Sequence, residues 1–206
     1  MARRTKAEAE RTRQRILMAA LDLFAGKGYE RTTFEDVAER IGLTKGAVYW
    51  HFKSKPDLLL ELVAHMTEKH NEELCRKLSP PDSPDGLVTH FVERARLLVG
   101  KPVNRKYFLM MMRMDWPNAK LASIKSRLHE LKSNPFNLIK DSLTAFQKRG
   151  DILSGVDVEA ATLSLGALWL GAMKLQIDHC PETDLSTSIS LGFNAIINAI
   201  RRSPKG

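Results

Sequence analysis

The side chains with the clearest chemical potential lie between Thr33 and Lys55, in the run TFEDVAERIGLTKGAVYWHFKSK. Lys45, Tyr49, His51 and Lys55 bring hydrogen-bond donors, and Gly46 and Ala47 bring almost no side chain at all. Donors beside small residues on one helix suit an anionic polymer. The donors reach phosphate oxygens or base edges, while the small residues let the backbone come close. Thr33 and Ser54 read as helix caps, and helix N-termini offer N–H groups and a positive dipole end to phosphates. This is contact chemistry, not turnover. No GxSxG, P-loop, GxGxxG or HExxH run is present. His65 and His70 do not share a helical face. Cys75 and Cys180 are 105 residues apart and match no metal-ligand or CxxC spacing. The reading is no enzyme, no metal and no cofactor.

Positioning these residues calls for helices. The apolar residues recur with helical period, and no window alternates as a strand would. The first helix is expected over Ala7 to Gly26, with Ile16, Leu17, Ala20, Leu21 and Phe24 on one face. A short helix follows Thr33, with Asp36 completing a capping box, and Gly42 takes the positive φ of a turn. Thr44 caps a third helix to about Phe52, and Ser54 caps a fourth from Lys55 to about Leu78. Ala38, Gly42 and Val48 have the spacing of a helix-turn-helix, small where the helices cross and apolar where the second packs back. Further helices are expected at Leu87 to Val99, Val103 to Met114, Asn118 to Arg149, Val156 to Ile177 and Leu185 to Arg202, with Pro135 kinking or dividing the third of these. The fold class is all-α with about nine helices. A helix-turn-helix domain is expected over residues 1–55, its fourth helix continuing to about 78. A proline-rich linker at 79–86 and a helical domain at 87–206 complete the organisation.

Residues 10–60 resemble the N-terminal domain of the tetracycline-repressor (TetR) family, through TRQRILMAALDLFAGKGYERTTFEDVAERIGLTKGAVYWHFKSKPDLL, in which YWHFKSKPDLL is most specific. The opening MARRTKAEAERTRQRIL and the GAVYWHFKSK segment resemble multidrug-efflux repressors of the AcrR type. The resemblance implies that Thr33, Thr44, Tyr49, His51 and Lys55 hold phosphates while Lys45, Gly46 and Ala47 face bases. It makes Trp50 largely a packing residue with a backbone contact. The basic arm Arg3, Arg4 and Lys6 reads either as a minor-groove contact or as a solvated tail.

For the rest of the chain the resemblance implies a ligand-binding and dimerisation domain. Gly166, Ala167, Gly171 and Ala172 permit close helix approach, and Leu163, Leu170, Ile189, Phe193, Ile196, Ile197 and Ile200 supply apolar faces. A dimer interface is expected from Leu163, Gly166, Leu170, Ile189, Phe193, Ile196 and Ile200, with an intrachain core as the alternative. The Met-rich run from Tyr107 to Trp116 suits an irregular apolar ligand or a core. The expected lining is Phe91, Met110, Met111, Met114, Trp116, Leu138 and Trp169.

Charge agrees with an anionic partner without choosing it. Lys plus Arg number 32 against 24 acids, a net charge of +8, and residues 1–55 hold +5 of it. Such a segment attracts nucleic acid or an anionic membrane surface alike. The charged start argues against a signal peptide. The longest apolar run, Ala161 to Met173, falls short of the roughly 20 residues that span a bilayer. The expected setting is cytoplasmic, with operator DNA, a second copy of the chain and a small hydrophobic or cationic amphipathic effector as partners. The alternative is a DNA-binding protein of the same fold with a structural role and no inducer.

Overall fold

The computed structural model describes residues 6–115, 121–122, 124–126, 134–179 and 184–201. Among them nine helices are bounded: α1 (Lys6–Gly26), α2 (Phe34–Arg40), α3 (Lys45–His51), α4 (Lys55–Lys77), α5 (Pro84–Gly100), α6 (Pro102–Arg113), α7 (Pro135–Arg149), α8 (Val158–His179) and α9 (Leu185–Ile200). The described residues contain no strand beyond a lone antiparallel bridge between Ile152 and Arg201. The chain divides into two compact units. The first joins residues 1–70 to 106–126, and the second joins 71–105 to 127–206. The Met-rich segment 107–114 thus belongs with the N-terminal helices, and the 78–83 connection lies inside the second unit.

In the first unit the helical period of α1 is what buries it. Ile16, Leu17, Ala20, Leu21 and Phe24 are all at most 1% exposed, and each large side chain so buried contributes roughly 1.5–3 kcal/mol. Gly28, at φ +91°, reverses the chain after α1. The α2 cap is reciprocal: Asp36 N donates to Thr33 Oγ1 (3.2 Å) and Thr33 N donates to Asp36 Oδ2 (2.7 Å). Such a cap is worth about 1 kcal/mol. Gly42, at φ +67°, makes the turn to α3, and Leu43 N closes it on Ala38 O at 2.9 Å. Arg15 on α1 donates to Ile41 O at 2.8 Å and pins the turn from outside. Val37, Val48, Phe52, Leu58, Leu59 and Leu62 form the common core. Tyr107 bonds Thr67 (3.1 Å), and Arg113 donates to Ala25 O (2.9 Å), which fastens the end of α6 to α4 and α1.

In the second unit α5 packs on α9, α7 and α8, and α8 packs on α7 and α9. Phe91 is central, 5.7 Å from Trp169 in an edge-on pair and 5.4 Å from Phe193. Trp169 Nε1 donates to Phe91 O at 3.1 Å, so the buried indole N–H is satisfied. Two glycines admit neighbours: a Cβ on Gly166 would strike the Phe136 ring, and one on Gly192 would strike the Leu168 side chain.

Several element ends differ from the sequence reading. Helix α5 begins at Pro84, three residues early, because proline fits a first helical turn whose N–H needs no partner and Ser83 caps it. For the same reason Pro135 starts α7 behind the cap Asn134. The N-terminal part of the expected Asn118 to Arg149 helix, with Pro117, lies largely outside the described residues. Val158–Asp178 is long and apolar enough to cross a membrane by length and composition, more than the Ala161 to Met173 run suggested. One face of α8, Leu165, Trp169 and Met173, is buried within the unit.

Candidate nucleic-acid interface

Helix α3 presents an outer face that the core does not use. Val48 is its buried anchor. Thr44, Lys45, Gly46, Tyr49 and Trp50 are exposed, and Ala47 and His51 are half-buried. Thr44 caps the helix by accepting from Ala47 N at 3.2 Å. A Cβ on Gly46 would meet only Thr44 Oγ1, at 3.9 Å. Nothing inside the protein therefore asks for glycine there, although glycine costs a helix about 1 kcal/mol relative to alanine. Its outer side is open.

The electrostatics around α3 are organised before any partner arrives. Lys45 pairs with Glu35 of α2, and its Nζ lies 5.7 Å from the Tyr49 ring centroid. The Tyr49 ring meets Phe34 edge-on at 4.8 Å, so the phenol is held by its body with 51% of the residue exposed. Lys45 and then its own amide hold the Glu35 carboxyl below its ordinary value. Asp36 is held down to about 2, chiefly by the Lys27 ammonium and then by the Thr33 amide and hydroxyl.

The helix N-termini are more occupied than the sequence suggests. Besides the Thr33–Asp36 box, Lys53 N donates to Asp57 Oδ2 (2.9 Å) and Asp57 N donates to Ser54 Oγ (3.3 Å) at the start of α4. Carboxylates thus already sit at two ends expected to hold phosphates. Lys55 is likewise drawn inward, its Nζ donating to Tyr29 O (2.9 Å) and Glu30 O (3.0 Å) and lying 4.5 Å from the Tyr29 ring centroid. Its ammonium clamps the α1–α2 loop to α4. The packing role expected of Trp50 is corrected: the residue is 71% exposed and meets His51 edge-on at 4.5 Å. Glu35 was not among the expected site residues. Its only sequence signal is an acid in the first turn of one helix with Lys45 opening the next, across a turn whose geometry Gly42 sets. Arg3 and Arg4 lie outside the described residues.

The expected ligand-lining residues are divided. Met110, Met111 and Met114 fall in the first unit, and Phe91, Leu138 and Trp169 in the second. Phe91 and Trp169 are core, and Trp116 lies outside the described residues. The groove between α7 and α8 is lined by Phe136, Lys140, Glu159, Thr162 and Leu163, among others, and by none of the expected set.

The expected dimer-interface residues also separate. Gly166 is filled by Phe136, and Ile189 and Phe193 are fully buried within the protomer against α5 and α8. These three leave the candidate interface, because their surface is already taken. Leu170, Ile196 and Ile200 are half-buried, and Leu163 is 65% exposed. The open apolar stripe consists of Leu163, Ala167, Gly171 and Leu175 on α8, with Leu191 and Ala195 on α9. No Cβ contact limits Gly171 within 4 Å.

A capped α2, a glycine turn and an outward-facing α3 define a helix-turn-helix protein with a separate helical unit behind it in sequence. Residues 16–62 match the family described as bacterial regulatory proteins, tetR family. The HTH-type transcriptional regulator TtgR of Pseudomonas putida is 44% identical over 87 residues, covering 42% of this chain and 41% of that protein. The matched segment thus spans about two fifths of that relative's length. Over nearly the whole chain, the crystal structure of NalD, the secondary repressor of the MexAB-OprM multidrug efflux pump in Pseudomonas aeruginosa, superposes with a TM-score of 0.77 at 26% identity, covering 97% of this chain and 100% of that one. The SmeT–triclosan complex gives 0.74 at 25% identity, covering 94% and 93%; SmeT is the repressor of the Stenotrophomonas maltophilia multidrug efflux pump SmeDEF. Residues 16–62 thus carry the N-terminal domain of the tetR family of bacterial regulatory proteins, and the chain as a whole resembles regulators of the efflux-repressor type.

Proposed function

We propose that this protein is a sequence-specific DNA-binding transcriptional repressor acting as a homodimer in the cytoplasm. The observation that carries the reading is the outer face of α3, where Gly46 is open on the outside with no internal reason to be glycine and Lys45 and Tyr49 flank it. Lys45, Gly46 and Ala47 face bases, Thr33, Thr44, Tyr49 and His51 meet phosphates, and Lys55 acts from behind by clamping the α1–α2 loop to α4. One such helix reads only a few base pairs, so a dimer is required. The stripe Leu163, Ala167, Gly171, Leu175, Leu191 and Ala195 supplies its surface. The operator is a palindrome with half-sites roughly 34–36 Å apart, one helical turn.

The helices beyond α4 sense a small hydrophobic or cationic amphipathic molecule that releases the DNA, and the regulated genes encode efflux or detoxification. The likeness to NalD and to SmeT with triclosan supports this direction. Release needs little: a tenfold loss of operator affinity corresponds to about 1.4 kcal/mol of differential binding. The test is to sequence the DNA bound in cells, then titrate the purified protein against the recovered duplex with and without efflux-pump substrates. Tight binding to a palindrome, relieved by such compounds, is expected. Binding that no compound weakens removes the sensor role and leaves a structural DNA-binding protein. No binding to any recovered duplex removes the repressor reading.

A further inference from the structure

One group beside the reading helix has the wrong sign for a DNA surface. Glu35 is exposed at the start of α2 and its carboxylate pairs with Lys45 across the turn. Its neighbour Asp36 has structural work, capping α2 through Thr33 and pairing with Lys27 at 2.7 Å. Glu35 takes no part in that cap. Phe34 and Glu35, adjacent on α2, meet the Tyr49 ring and the Lys45 ammonium respectively, so the ammonium of the reading helix is already paired in the free protein. An exposed ion pair of this kind adds little to folding, yet it keeps a carboxylate beside the ammonium that the proposed interface offers to DNA.

We propose that Glu35 is a specificity-determining residue, an intramolecular counter-ion that occupies Lys45 until a cognate base edge or phosphate arrangement displaces it. The inference rests on the DNA-binding reading above. On an arbitrary duplex the Glu35–Lys45 pair presents no net charge, and one fewer phosphate is neutralised per reading helix. On the cognate site Lys45 gains a contact to a base acceptor such as guanine O6 or N7, which offsets the lost ion pair. Glu35 thus penalises wrong sequences more than the right one, as a repulsive element in recognition does.

The experiment uses the full chain and two duplexes of equal length, one selected by the protein from a random-sequence pool and one scrambled, with anisotropy titrations across a salt series. Glu35→Gln should bind the scrambled duplex about threefold tighter or more per reading helix engaged, and its log K against log salt should steepen by about 0.9 per helix. The gain on the selected duplex should be smaller, so the ratio between duplexes falls. Glu39→Gln, which removes the same charge from α2 without touching the pair, should leave the ratio unchanged. In a Lys45→Gln background, Glu35→Gln should lose its effect. Glu35→Ala serves as a second variant should the glutamine disturb folding. An unaltered slope and ratio, an equal response from Glu39→Gln, or a full effect without Lys45 would each overturn the proposal while leaving DNA binding in place. Failure of the unmodified chain to bind either duplex would instead overturn the DNA-binding reading beneath it.

Discussion

Replacing Gly46 separates what the fold needs from what the partner needs, because the two respond with opposite sign. A Cβ at this position meets only Thr44 Oγ1, at 3.9 Å, so alanine fits without moving anything. Alanine also raises helix propensity and narrows the unfolded ensemble, together about 0.5–1 kcal/mol of added stability. Gly46→Ala should therefore melt no lower than the parent chain. Gly46→Leu holds the α3 backbone away from the groove floor. If it forfeits one good base contact in each of two half-sites, at roughly 1–3 kcal/mol each, the dimer loses about 2–6 kcal/mol, at least about 30-fold in operator affinity. Thermal melts followed by circular dichroism give the first number, and anisotropy on the selected duplex gives the second. A Gly46→Leu chain that stays folded and binds the operator as tightly as its parent refutes the assignment of this face. A Gly46→Ala chain that melts well below the parent would show that glycine is demanded from inside.

Leu191→Glu places a charge on the open stripe of α9, where the residue is 74% exposed, and should yield folded monomers by sedimentation; Phe193→Glu, at a fully buried site, should instead unfold the protein. A dimer that survives Leu191→Glu places the interface elsewhere. Lys55→Ala removes a clamp on two backbone carbonyls and should lower stability by about 1–2 kcal/mol, with little change in the salt slope of DNA binding; an unchanged melting temperature with a slope reduced by about one would show that the ammonium binds phosphate instead. Burial, with Lys69 adding to it, pushes the His65 imidazole below its ordinary value, and burial does the same at His90. The unfolded chain therefore binds more protons, so stability is full above about pH 6.5 and falls as pH drops below it. Melting temperatures measured from pH 7.5 to 5.5 should decline, and a His65→Gln, His90→Gln chain should decline less; equal slopes would remove the histidines as the cause.

Much of the N-terminal unit was legible in the chain because its signals are local. The spacing of Ile16, Leu17, Ala20, Leu21 and Phe24, the caps at Thr33, Thr44 and Ser54, and Gly42 at the turn each act within a few residues, where period and dihedral preference decide the outcome. The same holds for Pro84 and Pro135, whose place at a helix start follows from a fixed φ and a missing N–H. Which of several equivalent side chains faces the interior is a different kind of question. Ile189, Phe193 and Leu191 are all apolar residues of one helix, and only the packing of α5 and α8 decides that the first two are core and the third is surface. Gly166 and Gly171 look alike in sequence, yet Phe136 fills one and nothing fills the other. Charges behave in the same way: Lys55 reads as a phosphate donor and Lys45 as a base donor, but the α1–α2 loop offers two carbonyls to one and α2 offers Glu35 to the other. Helix formation is dictated by neighbours in the chain, whereas the partners of a long side chain are set by whatever the fold brings within a few ångströms of it.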